Sequence, residues 1–194
     1  MSTKQRKLDL YSDQPMETRI RYLMRHYKDY ELFEAALRQE IELNVAEARA
    51  YERNKHEELG VRVMSGTSLK DITYEQAKEA IEIADSLNMG GRPDDMVRDW
   101  EDKEYISQLV ENWRTFKRDY AALNSQLPKL GDENYAMFIE LLRREKNYQQ
   151  LADELMIEID SVKKKMKRLK RKVIQMMTAE YQEKGLFRDL RYPG

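Results

Sequence analysis

The apolar residues of this chain recur at intervals of three and four along two long stretches, and this spacing restricts its fold most strongly. The more regular stretch carries seven large side chains in unbroken order: Ile106, Leu109, Trp113, Phe116, Tyr120, Leu123 and Leu127. Such steps place side chains on one face of an α-helix, which turns once in about 3.6 residues. The spacing therefore predicts a long amphipathic helix that ends before Pro128, with Trp100 and Trp113 as core anchors.

The other stretch begins at Pro15, which suits the first turn of a helix. Its apolar positions are Ile20, Leu23, Tyr27, Tyr30, Leu37, Ile41, Ala48 and Tyr51. This pattern predicts either one helix to about Leu59 or two helices broken near Lys28-Asp29. Because the two stretches have a similar period, we expect them to pair in coiled-coil fashion. The sequence leaves open whether they form an antiparallel hairpin within one chain or a homodimer.

The composition favours helices joined by few loops. Of 194 residues, 37% are charged and 41% are hydrophobic, and only seven are Gly and four are Pro. We predict an all-α fold. The chain has no Cys for a disulfide, and no apolar run is long enough for a signal peptide core or a membrane span. We therefore expect a soluble, cytoplasmic protein.

Turn-forming residues indicate the domain boundaries. A polar tail over residues 1–14 is expected to be disordered, and a coiled-coil-like helical domain spans residues 15–127. Glycines and small polar residues predict a linker near residues 60–72. A C-terminal domain follows over residues 128–184, and residues 185–194 form a second tail.

One further helix is predicted between the linker and Gly90-Gly91. The helix runs through the apolar positions Ala77, Ala80, Ile81, Ala84 and Leu87. The segment that ends it, GGRPDD from Gly90 to Asp95, joins glycines with two carboxylates. No Lys-Ser/Thr pair follows, as it would in a phosphate-binding loop. We interpret the segment as a helix stop, with Pro93 at the start of a new turn.

The residues that catalysis or metal binding would need are scarce. His26 and His56 are the only histidines, and neither lies in an HExxH motif or has a Cys partner. The sequence also lacks a nucleophile elbow and a glycine-rich dinucleotide turn. We therefore expect no enzyme activity, no metal and no cofactor.

A dense cluster of positive charge lies between Val162 and Val173. It contains eight cations and no acidic residue: Lys163, Lys164, Lys165, Lys167, Arg168, Lys170, Arg171 and Lys172. The chain has a formal charge of −1, and subtracting these eight positive charges leaves −9 on the remaining residues. An apolar stripe shares the same predicted helix: Val162, Met166, Leu169, Val173 and Met176. The cations therefore cover the solvent-facing side, either as an ordinary solvated surface or as a site for an anionic partner.

The residues ahead of the basic helix have the spacing of a helix-turn-helix. Leu151, Ala152 and Leu155 form the apolar face of a short helix. Ile157 then closes the turn, and Val162 packs back onto Ala152. A small residue is needed at the contact because two helices that cross steeply over a short turn leave little room.

The run Leu151-Ala152, Leu155, Ile157 and Ser161-Val162-Lys163 resembles the last conserved region of bacterial sigma factors of the sigma-seventy class. It is similar, more narrowly, to phage and mobile-element regulators of the ArpU type, which carry such a domain behind a helical N-terminal part. The chain departs from the family at Met156, where Gly is usual, and at Glu158, where Ser usually caps the helix. The resemblance implies a transcription regulator that binds promoter DNA in a bacterial host cell, with RNA polymerase as a further partner.

A helix-turn-helix places its second helix in the major groove of duplex DNA. On this interpretation four residues near the start of the helix reach base edges or nearby phosphates: Ser161, Lys163, Lys164 and Lys167. Four others contact the DNA backbone: Lys165, Arg168, Arg171 and Lys172. Backbone contacts supply affinity, whereas only the first group can choose a sequence.

Two other functions fit the same patterns. A DNA-packaging accessory of the small-terminase type would use the long helices to assemble a ring. A helical adaptor without DNA would use the basic helix to bind an acidic protein. The mass in solution separates the first alternative from a regulator, and binding to duplex DNA at physiological salt separates the second.

Overall fold

The computed structural model describes residues 11–58 and 72–185, without the side chains of residues 54–58, 72–76, 100 and 101. Over these residues the chain forms seven α-helices and no strand, so the predicted all-α fold is confirmed. The helices are α1 (Met16–Arg25), α2 (Tyr30–Glu58), α3 (Ile72–Asn88), α4 (Trp100–Gln126), α5 (Asp132–Leu142), α6 (Tyr148–Leu155) and α7 (Ile159–Glu183). Short 3-10 helices lie at Tyr27–Asp29, Pro93–Met96 and Leu127–Leu130.

Contacts between residues divide the chain into two compact units. Among the described residues, the first contains 11–12, 32–58 and 72–114, and the second contains 13–31 and 115–185. This division differs from the predicted boundary at residue 127, because α1 and the last part of α4 group with the C-terminal helices. Residues 60–71 of the predicted linker lie outside the described residues. Residues 1–10 and 186–194 also lie outside them.

In the first unit, α2 and α4 run antiparallel. The indole Nε1 of Trp113 donates to Glu34 Oε1 at 2.7 Å, and the hydroxyl of Tyr105 donates to Glu40 Oε1 at 3.4 Å. Just ahead of α4, the backbone N–H of Arg98 donates to a carboxylate oxygen of Glu52 at 2.5 Å. The residue number falls on one helix as it rises on the other, so these segments of the two stretches pair within one chain.

The core of the first unit contains most of the predicted apolar positions. Leu37, Ile41 and Ala48 of α2 are buried, together with Val45. Tyr51 is 61% exposed, so its predicted place on the buried stripe is wrong. The buried side chains of α2 follow steps of four, four and three residues, which place Tyr51 outside the face that packs on α4.

The predicted helix between the linker and Gly90 is present as α3, but its buried face does not follow its apolar positions. Ala77, Ala80 and Ile81 are exposed, whereas Glu79, Ile83 and Leu87 are buried. Glu79 is buried because α2 supplies two guanidinium partners for its carboxylate. The Nε atom of Arg49 lies 2.9 Å from Glu79 Oε1, and Nη1 of Arg53 lies 3.1 Å from Oε2. These ion pairs turn a polar position of α3 toward α2 and leave Ile81 in solvent.

The GGRPDD segment has the structural role that its sequence predicts. Gly90 takes a positive φ of 74° after α3, and Pro93 begins the 3-10 helix. Both carboxylates have cationic neighbours: Asp94 lies 2.9 Å from Arg92 Nη2, and Asp95 lies 3.0 Å from Lys103 Nζ. Among the described residues, no group of three or more His, Asp or Glu is arranged to hold a metal ion.

The first described residues are ordered rather than part of a tail. Tyr11 is fully buried, and the backbone N–H of Ser12 donates to Asn112 Oδ1 at 2.9 Å. The predicted disordered tail over residues 1–14 therefore differs from the structure from Tyr11 onward, because Asn112, a polar residue of α4, holds this segment.

In the second unit, the first helical stretch is interrupted near Lys28-Asp29, as one of its two predicted alternatives has it. Residues Tyr27–Asp29 form a 3-10 helix between α1 and α2, so the two-helix alternative is confirmed. This unit also contains a buried carboxylate, Asp119 of α4. It accepts a hydrogen bond from Arg19 Nε of α1 at 2.9 Å and another from the hydroxyl of Tyr181 in α7.

Within the described part of the chain, no helix is both long enough and apolar enough to span a lipid bilayer.

Candidate nucleic-acid interface

The short helix α6 is fixed at its start by a reciprocal cap. The side chain of Asn147 accepts hydrogen bonds from the backbone N–H groups of Gln149 and Gln150, at 2.9 and 3.0 Å. In return, Gln150 Oε1 accepts from the backbone N–H of Asn147 at 2.8 Å. This capping box satisfies donors that a helix start leaves unpaired. The Asn-x-x-Gln spacing was readable in the sequence, but it was not among the predicted features.

The turn between α6 and α7 is as tight as a helix-turn-helix requires, although it contains no glycine. Met156 takes the left-handed conformation, with φ 52° and ψ 42°. The N–H of Ile157 donates to the carbonyl of Ala152 at 3.0 Å, and the N–H of Met156 donates to that of Asp153 at 3.3 Å. These are the two bonds of a Schellman motif, which usually has Gly at the left-handed position. The side chains of Met156 and Ile157 point to solvent, with exposures of 91% and 44%.

The start of α7 lacks a side-chain cap. Glu158 occupies the cap position with an extended backbone, and its side chain accepts no hydrogen bond from the first turn. Asp160 lies in that first turn, where a negative charge is favourable. The absence of Ser at position 158 therefore leaves the helix without a cap but does not prevent it from starting at Ile159.

The predicted apolar face of α7 is buried over its first half and turns over its second half. Val162, Met166, Leu169 and Val173 are buried as expected, and Leu151 and Ala152 of α6 are buried as well. Met176 is only half-buried, and the fully buried residue there is its neighbour Met177. Ile174 and Tyr181 are buried too. The face turns because the end of α7 also packs against α1 and α4, as the bond from Tyr181 to Asp119 shows.

Two of the eight predicted site residues have acidic partners on the same unit. Lys163 Nζ lies 3.1 Å from Asp160 Oδ1, and Lys165 Nζ lies 3.5 Å from Glu133 Oε1. Ser161 is exposed at the start of the helix. The other basic side chains of the cluster make no ion pair with any described residue: Lys164, Lys167, Arg168, Lys170, Arg171 and Lys172.

Five exposed cations form one continuous surface opposite Val162, which we term the α7 cationic surface: Lys164, Lys167, Arg168, Arg171 and Lys172. At about 100° per residue, they occupy an arc about 140° wide. Along the helix axis they extend over about 12 Å. Lys170 lies nearer the buried side and is half-buried. The surface thus brings five of the eight predicted site residues together on one helix face.

Negative charge surrounds the first turn of α7. Four exposed carboxylates lie there and on the end of α6: Asp153, Glu154, Glu158 and Asp160. Hydrogen bonds from Lys146 hold Glu154, at 2.6 and 2.8 Å, and they raise the pKa of Lys146 together with Glu140. An approaching phosphate would therefore be repelled near Ser161 and Lys163, and attracted further along the helix.

Comparison with known proteins returned no match to a family model, to a curated protein or to a solved structure.

Proposed function

We propose that the α7 cationic surface binds double-stranded DNA and that the protein is a sequence-specific transcription regulator. The observation that carries the proposal is the surface itself: five exposed cations, without ion-pair partners among the described residues, on the second helix of a helix-turn-helix. A helix with its side chains is about 10–12 Å across, which fits a major groove about 12 Å wide. Positive side chains on such a helix reach phosphates on both sides of the groove.

The electrostatics distribute the roles along the helix. Lys164 and Lys167 lie on the cationic surface closest to its start, so they are the best placed to reach base edges. Arg168, Arg171 and Lys172 lie further along and contact phosphates. Lys163 and Lys165 contribute less than their charge alone would indicate, because a phosphate competes with Asp160 and Glu133 for them.

The biological setting rests on the resemblance to sigma-factor and ArpU-type regulators. It supports a phage or mobile-element promoter as the target and RNA polymerase as a further partner. Both features belong to the proposal, and the charge and geometry of α7 support the DNA contact by themselves.

Binding to duplex promoter fragments at several salt concentrations tests the DNA contact. If about five phosphates are neutralised, the logarithm of affinity falls against the logarithm of salt with a slope of about −4 to −5. The triple variant Arg168→Gln, Arg171→Gln, Lys172→Gln should reduce this slope to about −2, since each lost phosphate contact removes about one unit.

A matched control removes the same charge elsewhere: Arg21→Gln, Lys78→Gln and Arg98→Gln, which replace exposed cations of α1, α3 and the segment before α4. Its salt slope should equal that of the unchanged protein. Equal losses in both triple variants would show that only net charge matters, and a flat salt response would contradict the proposal. A mass corresponding to a ring of many subunits would instead favour the DNA-packaging alternative.

A further inference from the structure

A pocket of about 490 Å³ opens on the second unit, and none of the residues that line it belongs to α7. Its wall comes from the connection between α1 and α2, from α4 and from the end of α5. The lining residues are Tyr27, Lys28, Tyr30, Glu31, Tyr120, Arg143, Arg144 and Glu145. This volume lies within the range of about 300–1,000 Å³ that small-molecule sites occupy.

Three tyrosines line one side of the pocket and pack on one another. The rings of Tyr30 and Tyr120 are parallel within 4°, with centroids 3.4 Å apart, and Tyr27 lies 5.4 Å from Tyr120. Burial and the neighbouring Tyr120 raise the pKa of Tyr27. The Tyr27 hydroxyl donates to Asn124 Oδ1 at 2.6 Å, which fixes the ring.

The rim of the pocket carries both signs of charge. Lys28, Arg143 and Arg144 are positive, and Glu31 and Glu145 are negative. Arg143 is available to a ligand, because it is half-exposed and its closest carboxylate oxygen, on Glu145, is 3.9 Å away. Arg144 is held in place: its guanidinium donates to the carbonyl of Arg25 at 3.2 Å and lies 3.5 Å from Asp29.

Arg144 is also one of only two non-glycine residues with a positive φ in the described part of the chain, at 58°. The N–H of Glu145 donates to the carbonyl of Glu140 at 2.9 Å, and the N–H of Arg144 donates to that of Leu141 at 3.2 Å, so Arg144 closes a Schellman turn as Met156 does. Here the conformation turns the chain at the end of α5 and brings the two arginines and Glu145 to one edge of the pocket.

The mixture of groups restricts the ligand. A small anion would meet two carboxylates without offering them a donor, and a small cation would meet three positive side chains. We propose that the pocket binds a nucleotide, which combines a planar base, an anionic phosphate and exocyclic donors in one molecule. The base packs against the side of the pocket that the tyrosines line, Arg143 and Lys28 bind the phosphate, and Glu31 or Glu145 accepts from the base.

The same chemistry is offered by a free mononucleotide and by an unstacked nucleotide of a single strand, so the test includes both. Equilibrium dialysis of the full chain should show binding of at least one of the four common ribonucleoside 5′-monophosphates. The affinity for the matching nucleoside and that for inorganic phosphate should each be lower by at least about 10-fold, since each molecule lacks one half of the contacts. No nucleotide binding at millimolar concentration would overturn the proposal, as would equal binding of inorganic phosphate.

Variants locate the site. Arg143→Gln changes an exposed side chain and should weaken nucleotide binding about 10-fold, the loss of a charged hydrogen bond. Tyr120→Leu should weaken it about 5-fold or more through lost stacking. Arg21→Gln, outside the pocket on α1, is the control and should leave the affinity unchanged.

The second part of the test measures binding of a single-stranded oligonucleotide of five nucleotides. If it binds more tightly than the mononucleotide and Arg143→Gln removes the difference, the strand is the source of the nucleotide. The α7 triple variant should leave mononucleotide binding unchanged, whether or not α7 binds duplex DNA. If that variant abolishes binding while Arg143→Gln has no effect, the nucleotide occupies α7 and the pocket proposal fails.

Discussion

Met156 adopts a backbone conformation that residues with a Cβ atom rarely tolerate. Its φ of 52° places it in the left-handed region, where an ordinary side chain costs about 1–2 kcal/mol. The side chain contributes little packing energy to offset this cost, because it is 91% exposed. The two hydrogen bonds of the Schellman turn hold the residue there, so the tight turn between α6 and α7 forms in spite of the residue that occupies it.

Met156→Gly should therefore stabilise the protein. Removing the Cβ relieves the backbone strain, and the greater freedom of Gly in the unfolded chain offsets part of the gain. We expect a net increase of about 0.5–1 kcal/mol in the free energy of unfolding. For a chain of this size that corresponds to a rise of about 1–4 °C in melting temperature, measurable by calorimetry.

Met89→Gly provides the control, because Met89 is 85% exposed but does not have a positive φ. It should leave the melting temperature unchanged or lower it slightly. A rise in both variants would indicate that removing an exposed methionine, rather than relieving the backbone, is what stabilises the protein.

At the scale of single helices, periodic apolar patterns were predictable and buried polar positions were not. The α4 stripe from Ile106 to Leu127 is largely buried, as its three- and four-residue steps predict. The same helix buries four polar residues beside that stripe: Asn112, Thr115, Asp119 and Gln126. Their partners, such as Ser12, Arg19 and Tyr181, are distant in sequence, so no local pattern indicates that these positions are buried.

The candidate interface shows the same limit. The order of helix, turn and basic helix was predictable from Leu151, Ala152 and Val162, whose burial follows helical spacing. The pairing of Lys165 with Glu133 was not, because it depends on how α5 packs beside α7. Nor could the sequence identify the pocket, whose residues come from three separate segments of the chain.

The eight-residue helix α6 depends on its cap more than the long helices do. A helix this short is marginal by itself, since isolated helices need about 12–15 residues. Asn147→Ala removes the acceptor for two backbone donors and should lower the free energy of unfolding by about 1 kcal/mol. Chemical denaturation measures this loss.

Asn44→Ala makes the same change in the interior of α2, where the side chain only donates to the carbonyl of Glu40 at 2.7 Å. It should be neutral or slightly stabilising, because Ala is the better helix former. Equal losses in the two variants would contradict the view that the capping box stabilises α6.

At the scale of the whole molecule, the C-terminal helices depend on residues from the other end of the chain. The Asp119 carboxylate is fully buried and binds Arg19 of α1 and Tyr181 of α7. Arg144, after α5, contacts the carbonyl of Arg25 and the carboxylate of Asp29. The second unit is therefore assembled from both ends of the sequence, and a fragment that starts at residue 128 would lack several of its core contacts.

Asp119→Ala tests this dependence in the intact chain. It leaves the Arg19 guanidinium, whose side chain is only 12% exposed, without its carboxylate, and it removes the acceptor for Tyr181. Removing one partner of a buried ion pair costs about 3–5 kcal/mol. Hydrogen exchange should show that amides in the second half of α7 lose protection together with those of α1, because one buried carboxylate holds both helices.

Glu17→Ala removes an exposed ion pair with Arg21 on α1 and should cost less than about 1 kcal/mol, with protection of α7 unchanged. If residues 128–184 formed a domain that is stable by itself, Asp119→Ala would weaken α1 alone and leave α7 protected. If Asp119→Ala reduces protection in both helices and Glu17→Ala leaves protection unchanged, the N-terminal part of the chain positions the proposed DNA-binding helix.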